Sequence, residues 1–197
     1  MLDLADVAAG FADATLESQA VFRLGLAALA QPGTILECAE APAPPRGTHA
    51  AANALLLALL DQDCRLWLSP SLNGAVAGYL RFHTGCVLVG QPRYADFALV
   101  AVPDELPALD AFEIGSDECP DRSTTVILQV SALAAAGAWR LHGPGIRGEA
   151  RLRAAGLGAD FVVQWNRNAA LFPCGVDLIL ASGSRLCGLP RTTRIEA

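Results

Sequence analysis

Lysine is absent from the sequence, and all 14 basic residues are arginine. Covalent catalysis through a Schiff base on the protein needs a side-chain amine, which only lysine supplies. The absence therefore excludes pyridoxal-phosphate catalysis and aldolase chemistry of the lysine type.

Charged residues of either sign are also scarce. They make up 17% of the chain, against 53% hydrophobic residues. Soluble monomers rarely expose large apolar patches, whereas obligate interfaces are more apolar than ordinary surface. The composition therefore predicts that the protein hides part of its surface against a partner, and that the isolated chain associates as a homodimer.

Long hydrophobic runs are missing as well. The longest candidate, residues 50–60, is interrupted by Asn53 and followed by Asp61, whereas a membrane-spanning helix needs about 20 apolar residues. The first residues include Asp3 and Asp6, where a signal peptide would carry lysine or arginine. These features predict a cytoplasmic protein without a membrane segment.

The cysteines form no Cys-x-x-Cys pair, the spacing that metal and redox sites commonly use. Most of them are predicted to be small buried hydrophobic residues, without zinc. Together with the missing lysine, this pattern predicts no cofactor in this chain. The six cysteines are Cys38, Cys64, Cys86, Cys119, Cys174 and Cys187.

Acidic and basic residues are unevenly distributed. Residues 1–121 hold five arginines and 16 acids, and residues 122–197 hold nine arginines and four acids. The net charge of −6 argues against nucleic-acid binding. The basic last third either attracts a phosphate-bearing ligand or an acidic partner, or is simply a solvated face.

Helical and strand patterns are interleaved along the chain, whose 197 residues suit one domain spanning residues 1–197. Interleaved elements with a hairpin predict a three-layer α/β fold in which helices flank a mixed β-sheet. Helices are predicted over residues 15–30, 48–60 with Thr48 as N-cap, 72–82, 149–155 and 161–170. Strands are predicted over residues 34–38, 64–68, 86–89, 97–102, 124–130 and 139–142, with a hairpin over 176–180 and 185–189.

The clearest strand is residues 124–130, which carry no charge and are rich in β-branched side chains. Ile127, Leu128 and Val130 are therefore predicted to lie in a central buried strand. The segment 104–121 contains seven acids and no base, and it is predicted to be a surface excursion with a short helix.

A glycine motif occupies residues 143–148, where Gly-Pro-Gly-Ile-Arg-Gly matches Gly-x-Gly-x-x-Gly. In dinucleotide sites such glycines bring the pyrophosphate to a helix N-terminus, and an acid follows about 20 residues later. Here Asp160 precedes the next apolar run instead of ending it. A strained turn is favoured, but an anion-binding role for the amides around Gly143 and Gly145 stays open.

Two further polar sets are candidate sites. Arg81 and His83 could bind phosphate or act in acid–base catalysis, or His83 could be a helix-end histidine with a local hydrogen bond. The tail residues Arg191, Thr192 and Thr193, followed by Arg194, suit a grip on a phosphate or carboxylate, or a tethered terminus. No spacing in the sequence assembles a nucleophile with its base, so Arg81 and His83 are the only catalytic candidates.

Several short motifs follow one another in a fixed order from residue 22 to residue 193. They are Phe22-Arg23 with Pro32-Gly33, Trp67-Leu68-Ser69 with Leu72-Asn73, and residues 80–84, 91–92, 127–130, 143–146, 172–180 and 190–193. In this order they resemble the H-subunit family of the carbon–phosphorus lyase system. The resemblance covers nearly the whole chain, and the last two segments are its most specific part.

This resemblance implies a subunit of an enzyme complex for phosphonate catabolism. With the G, I and L proteins it would support formation of ribose 1-phosphonate 5-triphosphate from ATP and an alkylphosphonate, before a radical-using J subunit cleaves the carbon–phosphorus bond. The resemblance also implies the fold of the large domain of pyridoxal-phosphate transferases without the cofactor lysine. It implies no catalytic residues. The competing hypothesis is a free-standing nucleotide- or phosphate-binding enzyme that uses the 143–148 loop.

Overall fold

A mixed seven-stranded sheet forms the centre of the protein in a computed structural model, which describes residues 8–72 and 74–197. Asp3, Asp6 and Asn73, which entered the sequence analysis, lie outside these described residues. The seven strands are β1 (Leu36–Glu37), β2 (Arg65–Leu68), β3 (Val87–Leu88), β4 (Phe97–Val100), β5 (Thr125–Gln129), β8 (Asp177–Ser182) and β9 (Arg185–Leu189), and a second sheet contains β6 (Leu133–His142), β7 (Ala150–Ala154) and β10 (Arg194–Glu196).

The order of the large sheet is β1-β9-β8-β5-β4-β2-β3. The strands from β8 to β3 pair in parallel, and the β8–β9 hairpin adds β9 and β1 in antiparallel orientation. Ile127, Leu128 and Val130 are at most 1% exposed, Ile127 and Leu128 within β5 and Val130 just after it. The predicted mixed sheet with a central buried strand is therefore confirmed.

Three layers arise because successive strand residues point to opposite faces of the large sheet. On β5, Ile127 packs in a core with the helices α1 (Ala14–Ala30), α2 (Ala50–Leu59) and α3 (Ala75–Thr84). Leu128 packs in a second core, which includes Trp139 of β6 and Trp165 of α4 (Ala159–Ala169). One covering layer is therefore helical, whereas the other combines α4 with a three-stranded sheet.

Helix α2 begins differently from the prediction. Thr48 is not the N-cap, because its hydroxyl donates to the Pro45 carbonyl at 2.8 Å, and the N-cap position is held by His49 without a side-chain cap. The first amides find partners elsewhere in the fold: the Ala51 N–H donates to the Gly183 carbonyl in the β8–β9 turn. The start of α2 is therefore set by the sheet that it covers.

Residues 149–155 were predicted to be helical, and this prediction is wrong. Residues Ala150–Ala154 form β7, which pairs antiparallel with β6, and β10 pairs with the other side of β6. Trp139 lies opposite Leu152 in this ladder, and both side chains are buried. Cross-strand pairing and burial outweigh the helix propensity of alanine, leucine and arginine in this segment.

The acidic segment contains only 3-10 turns, at Pro103–Glu105, Leu109–Ala111 and Pro120–Arg122, in place of the predicted short helix. It is not wholly a surface excursion, because Leu109 and Phe112 are buried in the core. Helix α1 is close to its predicted range and is capped by the Asp13 carboxylate.

Within the described ranges, no helix is long and apolar enough to cross a membrane. The one-domain assignment and the likeness to pyridoxal-phosphate transferases stay predictions.

An ion pair at the start of β2 makes the stability depend on pH. Arg65 donates to the Asp96 carboxylate through Nε at 3.0 Å and through its terminal nitrogen at 2.6 Å, and its backbone N–H donates at 2.7 Å. Burial raises the pKa of Asp96, but the hydrogen bonds and the charge of Arg65 together outweigh burial, so that the pKa lies below the ordinary 3.8.

We expect this pair to stabilise the fold above pH 3.8, the ordinary value, and to lose its contribution as the pH falls through the depressed pKa of the folded state. Chemical unfolding of the wild type and Asp96→Asn at a series of acidic pH values checks this. The wild type should lose its advantage over the variant on acidification. A difference that is independent of pH would contradict the assignment.

Candidate functional site

The glycine motif forms the turn between β6 and β7, two antiparallel strands of the smaller sheet. The helix that the sequence placed after it is absent, because the following residues are the strand β7. A dinucleotide-binding turn needs a helix N-terminus to receive the pyrophosphate. The segment 143–148 therefore lacks the geometry of that motif.

The glycines of this turn allow close backbone packing. Gly145 has φ +81°, and a Cβ there would overlap the carbonyl oxygen of Ala30 at the end of α1. At Gly143 a Cβ would lie 2.7 Å from the carbonyl oxygen of Thr192. The turn is thus pressed between the end of α1 and the C-terminal tail, which explains Gly143 and Gly145 without a ligand.

The tail residues lie beside this turn, so the structure brings two of the predicted sets together. Thr193 is fully buried, its carbonyl accepts a hydrogen bond from Trp165 Nε1 at 2.8 Å, and its hydroxyl has no hydrogen-bond partner in the described structure. Thr192 is half-buried. A contact of Gly143, Thr192 and Thr193 with an anion or a partner stays a prediction.

Arg191 lies at the centre of a hydrogen-bond network. Its Nε and one terminal nitrogen hold the Asp177 carboxylate at 3.1 and 2.5 Å, and its other terminal nitrogen donates to the carbonyls of Pro120 and Pro173. The remaining donor reaches the Ser123 hydroxyl at 2.5 Å. A guanidinium has five donors, and all five are used here. Arg191 as placed joins the tail, the acidic segment and β8, and it has no donor left for a ligand.

The two catalytic candidates separate in the structure. His83 Nε2 is 2.9 Å from the carbonyl oxygen of Ala8, and the His83 ring lies 4.5 Å from the ring of Tyr79. Arg81 is exposed and lines a groove of about 630 Å³ with Phe82 and Val87 of the edge strand β3. His83 is therefore partly buried and engaged by its neighbours, whereas Arg81 is exposed, and a catalytic role for either residue stays a prediction.

The two predicted regions lie at opposite edges of the large sheet. Helix α3, with Arg81 and His83, packs beside β3. The turn around Gly145 packs against the end of α1, which contacts β9. These sets therefore do not converge on one site.

Cys38, Cys86 and Cys187 are buried, and the other three cysteines are intermediate. Burial raises the pKa of Cys187 to about 12, and burial with the nearby Glu40 and Glu37 raises the pKa of Cys38 to about 11. Such thiols stay protonated at neutral pH and are poor nucleophiles. Within residues 8–72 and 74–197, no three His, Cys, Asp or Glu side chains are grouped to hold a metal ion.

Sequence reasoning missed two features. The first is the pairing of Arg191 with Asp177, although both residues stand in the two most specific segments of the resemblance. The second is a cavity beside α4, lined by Gln164 and Arg167. The helical spacing of these side chains was a usable signal, but the opposite wall comes from the distant acidic segment.

These observations define an α/β protein in which, among the described residues, His83 and Arg191 are engaged by contacts within the fold. A family model for the bacterial phosphonate metabolism protein PhnH matches residues 9–196. The chain belongs to this family.

Two relatives show how far the similarity extends. The chain is 38% identical over 190 residues, 94% of each chain, to the alpha-D-ribose 1-methylphosphonate 5-triphosphate synthase subunit PhnH of Rhizobium meliloti (strain 1021). It is 33% identical over 178 residues to the putative C-P lyase subunit protein HtxG of Stutzerimonas stutzeri, covering 90% of this chain and 85% of the relative. The family suggested by the sequence motifs is confirmed.

Proposed function

We propose that the protein is a non-autonomous subunit of the carbon–phosphorus lyase core complex. In this role it supports formation of ribose 1-phosphonate 5-triphosphate from ATP and an alkylphosphonate. The observation that carries the proposal is the 38% identity, over 94% of both chains, to a protein named as a subunit of the alpha-D-ribose 1-methylphosphonate 5-triphosphate synthase.

The arrangement of the candidate residues supports a role without independent catalysis. His83 is engaged by Ala8 and Tyr79, and the donors of Arg191 are consumed inside the fold. The free-standing enzyme that uses the 143–148 loop is less well supported, because that loop is a turn between antiparallel strands. We further propose that the subunit carries no cofactor of its own, because the missing lysine leaves no side-chain amine for a Schiff base and the cysteines form no Cys-x-x-Cys pair.

Its partners in this proposal are the other core subunits, of the G, I, L and J types, in the cytoplasm, with a homodimer when the chain is isolated. Exposed apolar surface supports association of this kind. Ten large hydrophobic side chains are exposed in the part of the chain that the structure describes: Leu16, Phe22, Leu26, Phe82, Val87, Tyr94, Val102, Val163, Leu171 and Phe172.

We predict that cells lacking this protein cannot use methylphosphonate as their phosphorus source, and that the purified protein alone turns over neither ATP nor a phosphonate. The reason is that the proposed function places the reaction of ATP with the phosphonate in the assembled complex and not in this subunit alone. Growth of a deletion strain on methylphosphonate, with and without the wild-type gene, tests the first part, and an ATP and phosphonate turnover assay tests the second. Growth on inorganic phosphate is the control.

Assembly is measured by co-purification of a tagged chain with co-expressed G, I, L and J proteins, and self-association by sedimentation of the chain alone. Robust activity of the lone protein, or normal growth without it, would contradict the proposed function. A monomer at micromolar concentration would contradict only the proposed homodimer.

A further inference from the structure

A cavity of about 510 Å³ lies between α4 and the acidic segment. Gln164, Arg167 and Asn168 stand three and four residues apart on α4, so they share one face of that helix. Leu171 continues this wall just beyond the helix end. The cavity is separate from the turn at residues 143–148 and from the groove beside Arg81.

The opposite wall is formed by the chain around Leu109 and Ile114, and it is fastened to α4. The Leu109 N–H donates to Gln164 Oε1 at 3.2 Å. The Ile114 carbonyl accepts a hydrogen bond from the Gly175 N–H at 2.8 Å. The next residue, Val176, is held by two hydrogen bonds between its backbone and the side chain of Asn168 on α4. The cavity is therefore formed by the fold itself before any ligand binds.

The floor of the cavity is apolar, and its rim is charged. Leu109 is 3% exposed, and Ile114 is partly buried against the same core. At the rim, Arg167 and Asp110 are exposed, and neither side chain has an ion-pair or hydrogen-bond partner in the described part of the chain. The amide nitrogen of Gln164 is also without a partner among the described residues, since only Oε1 of that side chain is used.

We propose that this cavity binds a small organic anion that carries an apolar body. Its volume falls in the range of small-molecule sites, roughly 300–1,000 Å³, which typically combine apolar walls with a few polar groups. Arg167 would hold the anionic group by charge-assisted hydrogen bonds, with Gln164 Nε2 as a second donor. The apolar body would lie against Leu109, Ile114 and Leu171.

Asp110 shapes the selectivity of this site. Its carboxylate lines the same cavity as Arg167, so it repels the charge that Arg167 attracts. Asp110 therefore reduces the preference of the site for a monoanion, such as a carboxylate, over a neutral ligand. Arg167 alone would give a larger difference in affinity between the two. Removing the charge of Asp110 should tighten anion binding, which a purely structural role for Asp110 would not do.

The test is titration of the full-length protein, labelled with ¹⁵N, by phenylphosphonate, phenyl phosphate and benzoate. Inorganic phosphate supplies the charge without the body, and benzyl alcohol supplies the body without the charge. The side-chain amide signals of Gln164 and Asn168 report binding at the cavity. We expect saturable shifts of both signals with at least one aromatic anion. Inorganic phosphate and benzyl alcohol should each bind at least about tenfold more weakly than that anion.

Arg167→Gln should weaken binding of the aromatic anions about tenfold or more. A hydrogen bond to a charged group typically contributes a factor of about ten or more to the binding constant. Arg23→Gln is the matched control, since Arg23 is an exposed arginine on the distant helix α1. Asp110→Asn should tighten binding. The absence of saturable shifts, or equal affinities of the Arg167 and Arg23 variants, would overturn the proposal. None of these readouts depends on assembly or growth, so this site and the proposed function succeed or fail separately.

Discussion

Replacing Arg191 with alanine is expected to lower the free energy of unfolding by about 3–5 kcal/mol. The side chains of Arg191 and Asp177 are only 13% and 20% exposed, and they are joined by two hydrogen bonds. Removing the guanidinium leaves the Asp177 carboxylate, whose side chain is mostly buried, without its cation. It also leaves the Pro173 carbonyl without its arginine donor and the Pro120 carbonyl with only the 3.4 Å hydrogen bond from the Ser123 N–H, and lost hydrogen bonds to partly buried acceptors are costly.

Equilibrium unfolding in urea measures this loss, and thermal unfolding should show a decrease of roughly 6–20 °C for a chain of this size. Arg65→Ala is the matched control. It also removes a two-point arginine–aspartate pair, but the side chains of Arg65 and Asp96 are 50% and 33% exposed. Exposed pairs contribute about 1 kcal/mol or less. Equal losses in the two variants would refute the structural role of Arg191.

This result would change how the role of Arg191 in the complex is tested. The sequence suggested that the tail grips a phosphate or carboxylate, and Arg191→Ala would be the obvious variant to test such a contact. Because the guanidinium holds three segments of the fold together, the Arg191→Ala variant could fail to assemble simply because its fold is destabilised. Its failure would then say nothing about a direct contact. Thr192→Val is the better variant for a direct contact, since the Thr192 hydroxyl has no partner in the described structure.

Gly145→Ala is expected to cost about 2–5 kcal/mol of folding stability. The left-handed backbone, with φ +81°, is unfavourable by about 1–2 kcal/mol for any residue with a Cβ. The added methyl group would also overlap the Ala30 carbonyl and come within 2.9 Å of the Pro32 ring, and such overpacking costs about 1–3 kcal/mol more. Helix α1 would have to move away from the turn.

Gly148→Ala separates the two contributions, because Gly148 lies in the same turn with φ +79°, and a Cβ added there would meet no atom within 4 Å. It should cost only the backbone part, about 1–2 kcal/mol. Urea unfolding of both variants measures the difference. If the two substitutions destabilise equally, close packing against α1 is not the reason for Gly145. A dinucleotide loop would instead predict lost nucleotide binding with a smaller change in stability.

The candidate site was only partly predictable from the sequence. Arg81 and the tail stood out because they concentrate charge and hydroxyl groups within a few residues. Nothing in that pattern showed that His83 would be occupied by the Ala8 carbonyl, or that Arg191 would be saturated by groups up to 71 residues away. Hydrogen-bond saturation depends on which distant segments meet, and local spacing carries no information about that.

The central sheet was determined by the sequence itself, through patterns that are local. The uncharged, β-branched run around Ile127 is apolar on both faces of its strand, so burial of both faces is the arrangement that removes its side chains from water. The hairpin of β8 and β9 and the helix α1 follow from short-range periodicity, and the missing lysine settled the exclusion of Schiff-base chemistry without any structure.

The smaller sheet was decided only by tertiary structure. Residues 149–155 have the composition of a helix, yet β7 forms because β6 offers it a ladder and a place to bury Leu152. The same pairing turned a motif typical of dinucleotide sites into a packed turn against α1 and the tail. Strand pairing and close backbone contact are non-local, so their free energy can override intrinsic propensities of less than about 1 kcal/mol per residue.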